Sequence, residues 1–193
     1  VKIRFLGGSI SQVTGATAPD KAYWWLTKQA LSAALHPRGD DSQYILAAVG
    51  GTNSVYGAYR VGVQLLDKNI DLLIVEFAVN DDSNKRAVDG MEGIVRQALK
   101  RNPKMGIIFM YTTMSRLDRD DYAQGKLPAG VVAHHQVAEH YGIAEVHCGP
   151  LVNNAIQANQ FTTATFYKDG VHPTNAGHAF YAGLLSRAII GSL

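Results

Sequence analysis

The chain has 193 residues, 47% hydrophobic and 18% charged, with 18 Lys and Arg against 16 Asp and Glu. That length holds one domain with a real core, and the near-balance of charge gives no electrostatic reason to expect nucleic acid or an anionic membrane as partner. No apolar run approaches the ~20 residues of a membrane span, and the lone Cys148 excludes an internal disulfide and a cysteine-rich metal site while leaving the compartment open.

The chain begins at Val1, directly in a strand and without a start methionine or signal sequence, as expected of a processed or trimmed chain. Val1–Leu6 reads as strand one, ending in glycines. Residues 20–36 carry a helical apolar pattern that stops at Pro37. Tyr44–Val49 is a short apolar strand before Gly50-Gly51, and residues 55–68 form a modest helix. Leu72–Val79 is the clearest buried strand and ends in Asn80-Asp81-Asp82. A helix over 87–101 ends near Asn102-Pro103, and Met105–Tyr111 is strand four. A polar stretch, 112–126, precedes a helix over 128–141 and a fifth strand, Ile143–His147. Residues 150–158 read as a helix, a polar loop runs to Gly170, and the last helix covers 174–190. Strands alternate with helices throughout, which predicts one domain with a parallel five-stranded sheet covered on both faces.

In such sheets ligands bind beyond the carboxyl ends of the strands. Those ends carry Gly8-Ser9, Gly50-Gly51-Thr52-Asn53 and Asn80-Asp81, and the loop Asp169-Gly170-Val171-His172 can reach the same edge. Ser9 follows glycine at a strand-to-helix turn, where its hydroxyl points away from the sheet. Alone, it is equally a helix cap or part of an anion-binding loop. The surroundings are not the Gly-x-Ser-x-Gly elbow, because Ser11 stands where the second glycine belongs. Asp169, three residues before His172, can fix the imidazole tautomer; alone, the pair is also a capped turn beside a surface histidine. Gly51 can supply a backbone N–H, Asn80 a side-chain N–H and Ser9 its own N–H to an oxyanion. It is the joint occurrence of these groups at strand ends that points to nucleophilic catalysis.

These blocks resemble the SGNH hydrolase superfamily, the GDSL-like esterases and lipases. GGSIS is similar to its first block, which implies Ser9 as nucleophile. AAVGGTNS and VEFAVND are similar to the second and third, which implies Gly51 and Asn80 in the oxyanion hole. DGVHPTNAGH is similar to the last, which implies Asp169 and His172 as acid and base. The blocks span residues 5 to 178, and the last is the most specific. Two positions depart from the family: Gly8 replaces an aspartate in the first block, and Ala78 a glycine in the third. The resemblance implies a flavodoxin-like α/β/α three-layer sandwich.

Other features weigh less. His134, His135 and His140 share a helix with Glu139, but their spacing is not that of a zinc protease, and a solvated helix face is the expectation. Cys148 reads as a small buried residue. Of Tyr23-Trp24-Trp25, one should pack while another stays partly exposed, a possible sugar platform. Tyr56, Tyr59 and Arg60 follow the Gly51 loop and are candidates to flank the pocket, with a structural role equally open. No metal or organic cofactor is expected. The prospective pocket loops are polar and lack an apolar stripe, which favours a small acyl group on a polar alcohol, such as an acetylated sugar, over a long chain worth about 0.8 kcal/mol per buried CH₂. Two alternatives remain: a lipase or thioesterase for longer chains, and a non-catalytic anion- or carbohydrate-binding domain of the same shape.

Overall fold

The fold is taken from a computed structural model and is described for residues 1–35, 42–66, 70–115 and 117–192. The expected helix stop at Pro37 and the end of the second helix at residue 68 lie outside them. Five strands, β1 (Lys2–Gly7), β2 (Gln43–Ala48), β3 (Leu72–Glu76), β4 (Gly106–Tyr111) and β5 (Ala144–His147), form one parallel sheet in the order β2-β1-β3-β4-β5. Eight helices are described: α1 (Tyr23–Leu35), α2 (Ser54–Gln64), α3 (Lys85–Arg101), α4 (Leu117–Ala123), α5 (Ala129–Tyr141), α6 (Cys148–Gln157), α7 (Thr163–Phe166) and α8 (Asn175–Ile190).

Strand side chains alternate between two cores, as the pleat requires. Leu6, Leu73, Val75, Ile107 and Phe109 pack with Val61 of α2, Ile94 of α3 and Val137 of α5. Ile3, Phe5, Ile74, Met110 and Val146 pack on the other face with Tyr23 and Leu31 of α1, Val152 of α6 and Tyr181 of α8. The result is the expected three-layer sandwich. The strand order reverses between β1 and β3, so the crevice for a ligand opens where Ser9 and Asn80 leave the sheet.

Three expectations need correction. β3 stops at Glu76, and residues 78–80 form a 3-10 turn after Phe77, whose ψ of 0° breaks the strand. The polar stretch after β4 contains α4, and the loop before Gly170 contains α7, where Thr162 and Thr165 build a reciprocal capping box. Both helices are too short for an apolar period to mark them. Finally, the histidines of α5 do not share a solvated face: His134 is buried against Phe109 and Tyr111.

Candidate active site

Ser9 stands two residues beyond β1, in a turn that demands glycine before it. A Cβ at Gly7 would meet Ser11 Oγ at 2.1 Å, and one at Gly8 would meet Asn80 Oδ1 at 2.6 Å. The second loop packs on the first: Gly50 N–H donates to Gln12 Oε1, and Val49 N–H to the Gly7 carbonyl.

The two ends of the chain meet along a hydrogen-bonded seam. Thr17 and Asn175 exchange two bonds, at 2.9 and 2.8 Å. Tyr23 N–H donates to His178 Nδ1, and His178 Nε2–H donates to the Thr14 carbonyl, which fixes the tautomer. Gly15, at φ +97°, passes so close to Pro173 that a Cβ would lie 2.1 Å from its carbonyl oxygen. Burial holds the His178 pKa down at about 4, so the ring is neutral at pH 7.

This seam delivers His172 to Ser9. Asp169 Oδ1 accepts the backbone N–H groups of Val171 and His172, at 3.1 and 2.9 Å, closing a tight turn. Its other oxygen accepts His172 Nδ1–H at 2.7 Å. With that proton on Nδ1, Nε2 is left to accept the Ser9 hydroxyl at 2.9 Å. The backbone donors, led by His172 N–H, then the imidazole, hold the Asp169 carboxyl down at about pKa 2. Ser9, His172 and Asp169, the three side chains that the sequence singles out, are thus joined in one hydrogen-bonded row.

Of the anticipated oxyanion donors, Gly51 has open space around its Cα at φ +70°. Asn80 has its amide oxygen buried against Gly8 without a partner; its amide nitrogen lies on the other side of the group. The next residue in the chain, Asp81, is anchored by a histidine that the sequence placed on a solvated helix face. His134 Nε2 bonds Asp81 Oδ2 at 2.7 Å, with both side chains almost fully buried. Gly130 of α5 lets the helix approach the Ala78 carbonyl, which a Cβ would reach at 2.0 Å.

Arg60 is corrected. It is only 7% exposed and donates to the carbonyls of Ala47 and Gly7, tying β2 to β1 from beneath. Two strand-end carbonyls converge there, and an arginine satisfies both. Tyr56 is half exposed and Tyr59 is 82% exposed. Tyr59 lines a groove of about 620 Å³ between α2 and α3, with Arg86 and Asp89, that includes none of Ser9, Asp169 and His172. Among the aromatics of α1, Tyr23 packs fully and the two tryptophans are partly exposed. Cys148 is buried, and no cluster of three metal-ligating side chains occurs among the described residues.

Sequence reasoning missed Glu76 and His178. The first lies in an apolar strand, where alternation gives no reason to single it out. The second stands six residues after His172, within the last block.

Comparison with known proteins agrees with this geometry. The GDSL-like Lipase/Acylhydrolase family matches residues 5–180. Among solved structures, a two-domain esterase, CEX, active on acetylated mannans superposes with a TM-score of 0.82 at 26% identity, over 100% of this chain and 48% of that one. An acetyl xylan esterase, AlAXEase, gives 0.76 at 19% identity, covering 98% and 100%. The lipase/acylhydrolase from Enterococcus faecalis gives 0.69 at 17%, covering 100% and 96%. Comparison with curated proteins gives no significant match. The chain spans about half the length of the two-domain esterase. Among the described residues no helix is long and apolar enough to cross a membrane. With the family match over most of its length, the chain belongs to the GDSL-like lipase/acylhydrolase family.

Proposed function

We propose that the chain is a serine esterase releasing small acyl groups, acetyl above all, from a carbohydrate or a similarly polar alcohol. The observation that carries the reading is the His172 ring bonded at once to Ser9 Oγ and Asp169 Oδ2. As Ser9 Oγ bonds to the ester carbonyl carbon, its proton moves to His172 Nε2, and Asp169 supports the imidazolium. The carbonyl oxygen takes the negative charge, facing donors from Ser9 N–H, Gly51 N–H and the Asn80 amide. When the intermediate collapses, the bond to the alcohol breaks, and His172 returns its proton to the departing oxygen. Water then attacks the acyl-enzyme by the same relay, freeing the acid and Ser9.

The acyl preference rests on the polarity of the rim, where Gln12, Thr52, Asn80 and Asp169 lie in the loops around Ser9, and on the acetylated glycans named for two of the structural relatives. Among the described residues, the large exposed apolar side chains Ile45 and Leu151 stand on separate elements, and Tyr56, Tyr59 and Val63 lie along α2. The test compares p-nitrophenyl acetate with the octanoate, then acetylated mannan with acetylated xylan. Faster turnover of the acetate, with acetate released from a glycan, is the expected result; preference for the octanoate overturns the acyl assignment.

A further inference from the structure

Directly beneath the Ser9 turn lies a fully buried carboxylate that the relay does not use. Glu76 ends β3, opposite Gly7 in register, and its side chain has 0% exposure. One carboxylate oxygen accepts Ser11 Oγ–H at 2.8 Å, and the other accepts Thr112 Oγ1–H at 2.8 Å. The backbone N–H groups of Gly8 and Ser11 also favour its charged form. Ser11 Oγ is in turn 2.7 Å from the Tyr23 hydroxyl on α1. Residue 76 thus holds the residue before Ser9 through its main-chain carbonyl, and its carboxylate holds the residue two after Ser9 and the residue that follows β4.

Burying a carboxylate costs several kcal/mol unless its oxygens are well satisfied. A plain structural position at the end of an apolar strand would take a hydrophobe. The site is also built around this group: Ser11 occupies the volume that a side chain at Gly7 would fill. Resting on the esterase reading above, we propose that Glu76 is a positioning residue for the nucleophile: its carboxylate ties the Ser9 turn, through Ser11, to Thr112 after β4 and so aims Ser9 Oγ at His172.

The grip depends on charge, because an ionised carboxylate accepts from both hydroxyls, whereas a protonated one turns one oxygen into a donor. Desolvation raises the Glu76 pKa to about 7, against the pull of the Ser11 and Thr112 hydroxyls. The other titratable groups facing it are Tyr23 on α1 and Cys148 on α6, both kept neutral by burial. Loss of the grip on acidification therefore adds a step of its own to the acid side of the pH profile.

The test is Glu76→Gln, which keeps the shape and removes the charge, assayed on p-nitrophenyl acetate. The expected result is a kcat lowered at least about tenfold with KM within about twofold, and an acid limb of kcat/KM that loses the step due to Glu76. Wild-type kcat and an unchanged limb in a folded E76Q overturn the proposal. Should E76Q not fold, Thr112→Val removes a single donor: the limb should move to higher pH with the plateau kcat kept, and Thr112→Ser should restore it. A limb that stays in place in T112V overturns the proposal equally. Ser9→Ala, run in parallel, separates the two readings. If S9A stays active the esterase assignment fails; if S9A is dead and E76Q behaves as wild type, only the role of Glu76 fails.

Discussion

Two Asp–His pairs in this molecule have the same length, 2.7 Å, and opposite surroundings. Asp169 and His172 stand at the rim, 51% and 22% exposed at their side chains, three residues apart in one turn. Asp81 and His134 are 2% and 1% exposed and join the 3-10 turn after β3 to the middle of α5. In the rim pair the second ring nitrogen meets a serine hydroxyl, so a proton accepted there can be passed on. In the interior pair the ring packs between Phe109 and Tyr111, and the free oxygen of Asp81 takes the Ser54 N–H at the start of α2. On the proposed function, the same two side chains make a reaction centre where one nitrogen meets a serine hydroxyl, and a clamp where both side chains are buried.

Mutations that break each pair should separate chemistry from stability. Ser9→Ala and His172→Ala should each lower kcat by at least about a thousandfold, with the thermal midpoint nearly unchanged. Asp169→Asn should follow, at about a hundredfold or more, because the amide no longer imposes the Nδ1–H tautomer. His134→Ala should do the reverse. Leaving Asp81 buried without its partner should cost about 3 to 5 kcal/mol of stability by urea denaturation, with a smaller loss in kcat arriving through Asn80. Asn80→Ala falls between them, with about 3 kcal/mol of transition-state stabilisation lost, roughly a hundredfold in rate.

A pH series on stability sharpens the contrast between the exposed rim and the groups behind it. The pKa of His178 falls from 6.5 to about 4 on folding, so the unfolded chain binds the proton first, and stability declines as pH drops from 6.5 toward 4. The pKa of Glu76 rises from 4.5 to about 7, so the unfolded chain loses its proton first, and stability declines as pH climbs from 4.5 toward 7. Each contribution is of the order of 3 kcal/mol, and they oppose each other. His178→Asn should flatten the acid side of a plot of thermal midpoint against pH, and Glu76→Gln the neutral side. The smallest effect belongs to Tyr59→Ala: at 82% exposure it should change stability by under about 0.5 kcal/mol.

Most of the layer architecture was legible because strand and helix periods differ, and the strand-end residues were legible because a parallel sheet puts all its carboxyl ends on one edge. Ser9, Asp169 and His172 could be named for that reason together with the family's blocks. What stayed hidden depends on contacts between distant segments. Glu76 reads as an interruption in LLIVEFAV until Ser11 and Thr112 are seen to enclose it. His134 reads as a surface histidine until Asp81 arrives from another element. Arg60 reads equally as a pocket flank or a structural residue until its guanidinium is seen to reach the Ala47 and Gly7 carbonyls.

The most direct measurement is mass-mapped labelling by a fluorophosphonate. The account predicts one phosphonyl group per chain, on Ser9, with loss of activity in step with labelling and a strongly slowed reaction in His172→Ala. Labelling at another residue, or full hydrolysis of p-nitrophenyl acetate with Ser9 blocked, would contradict it.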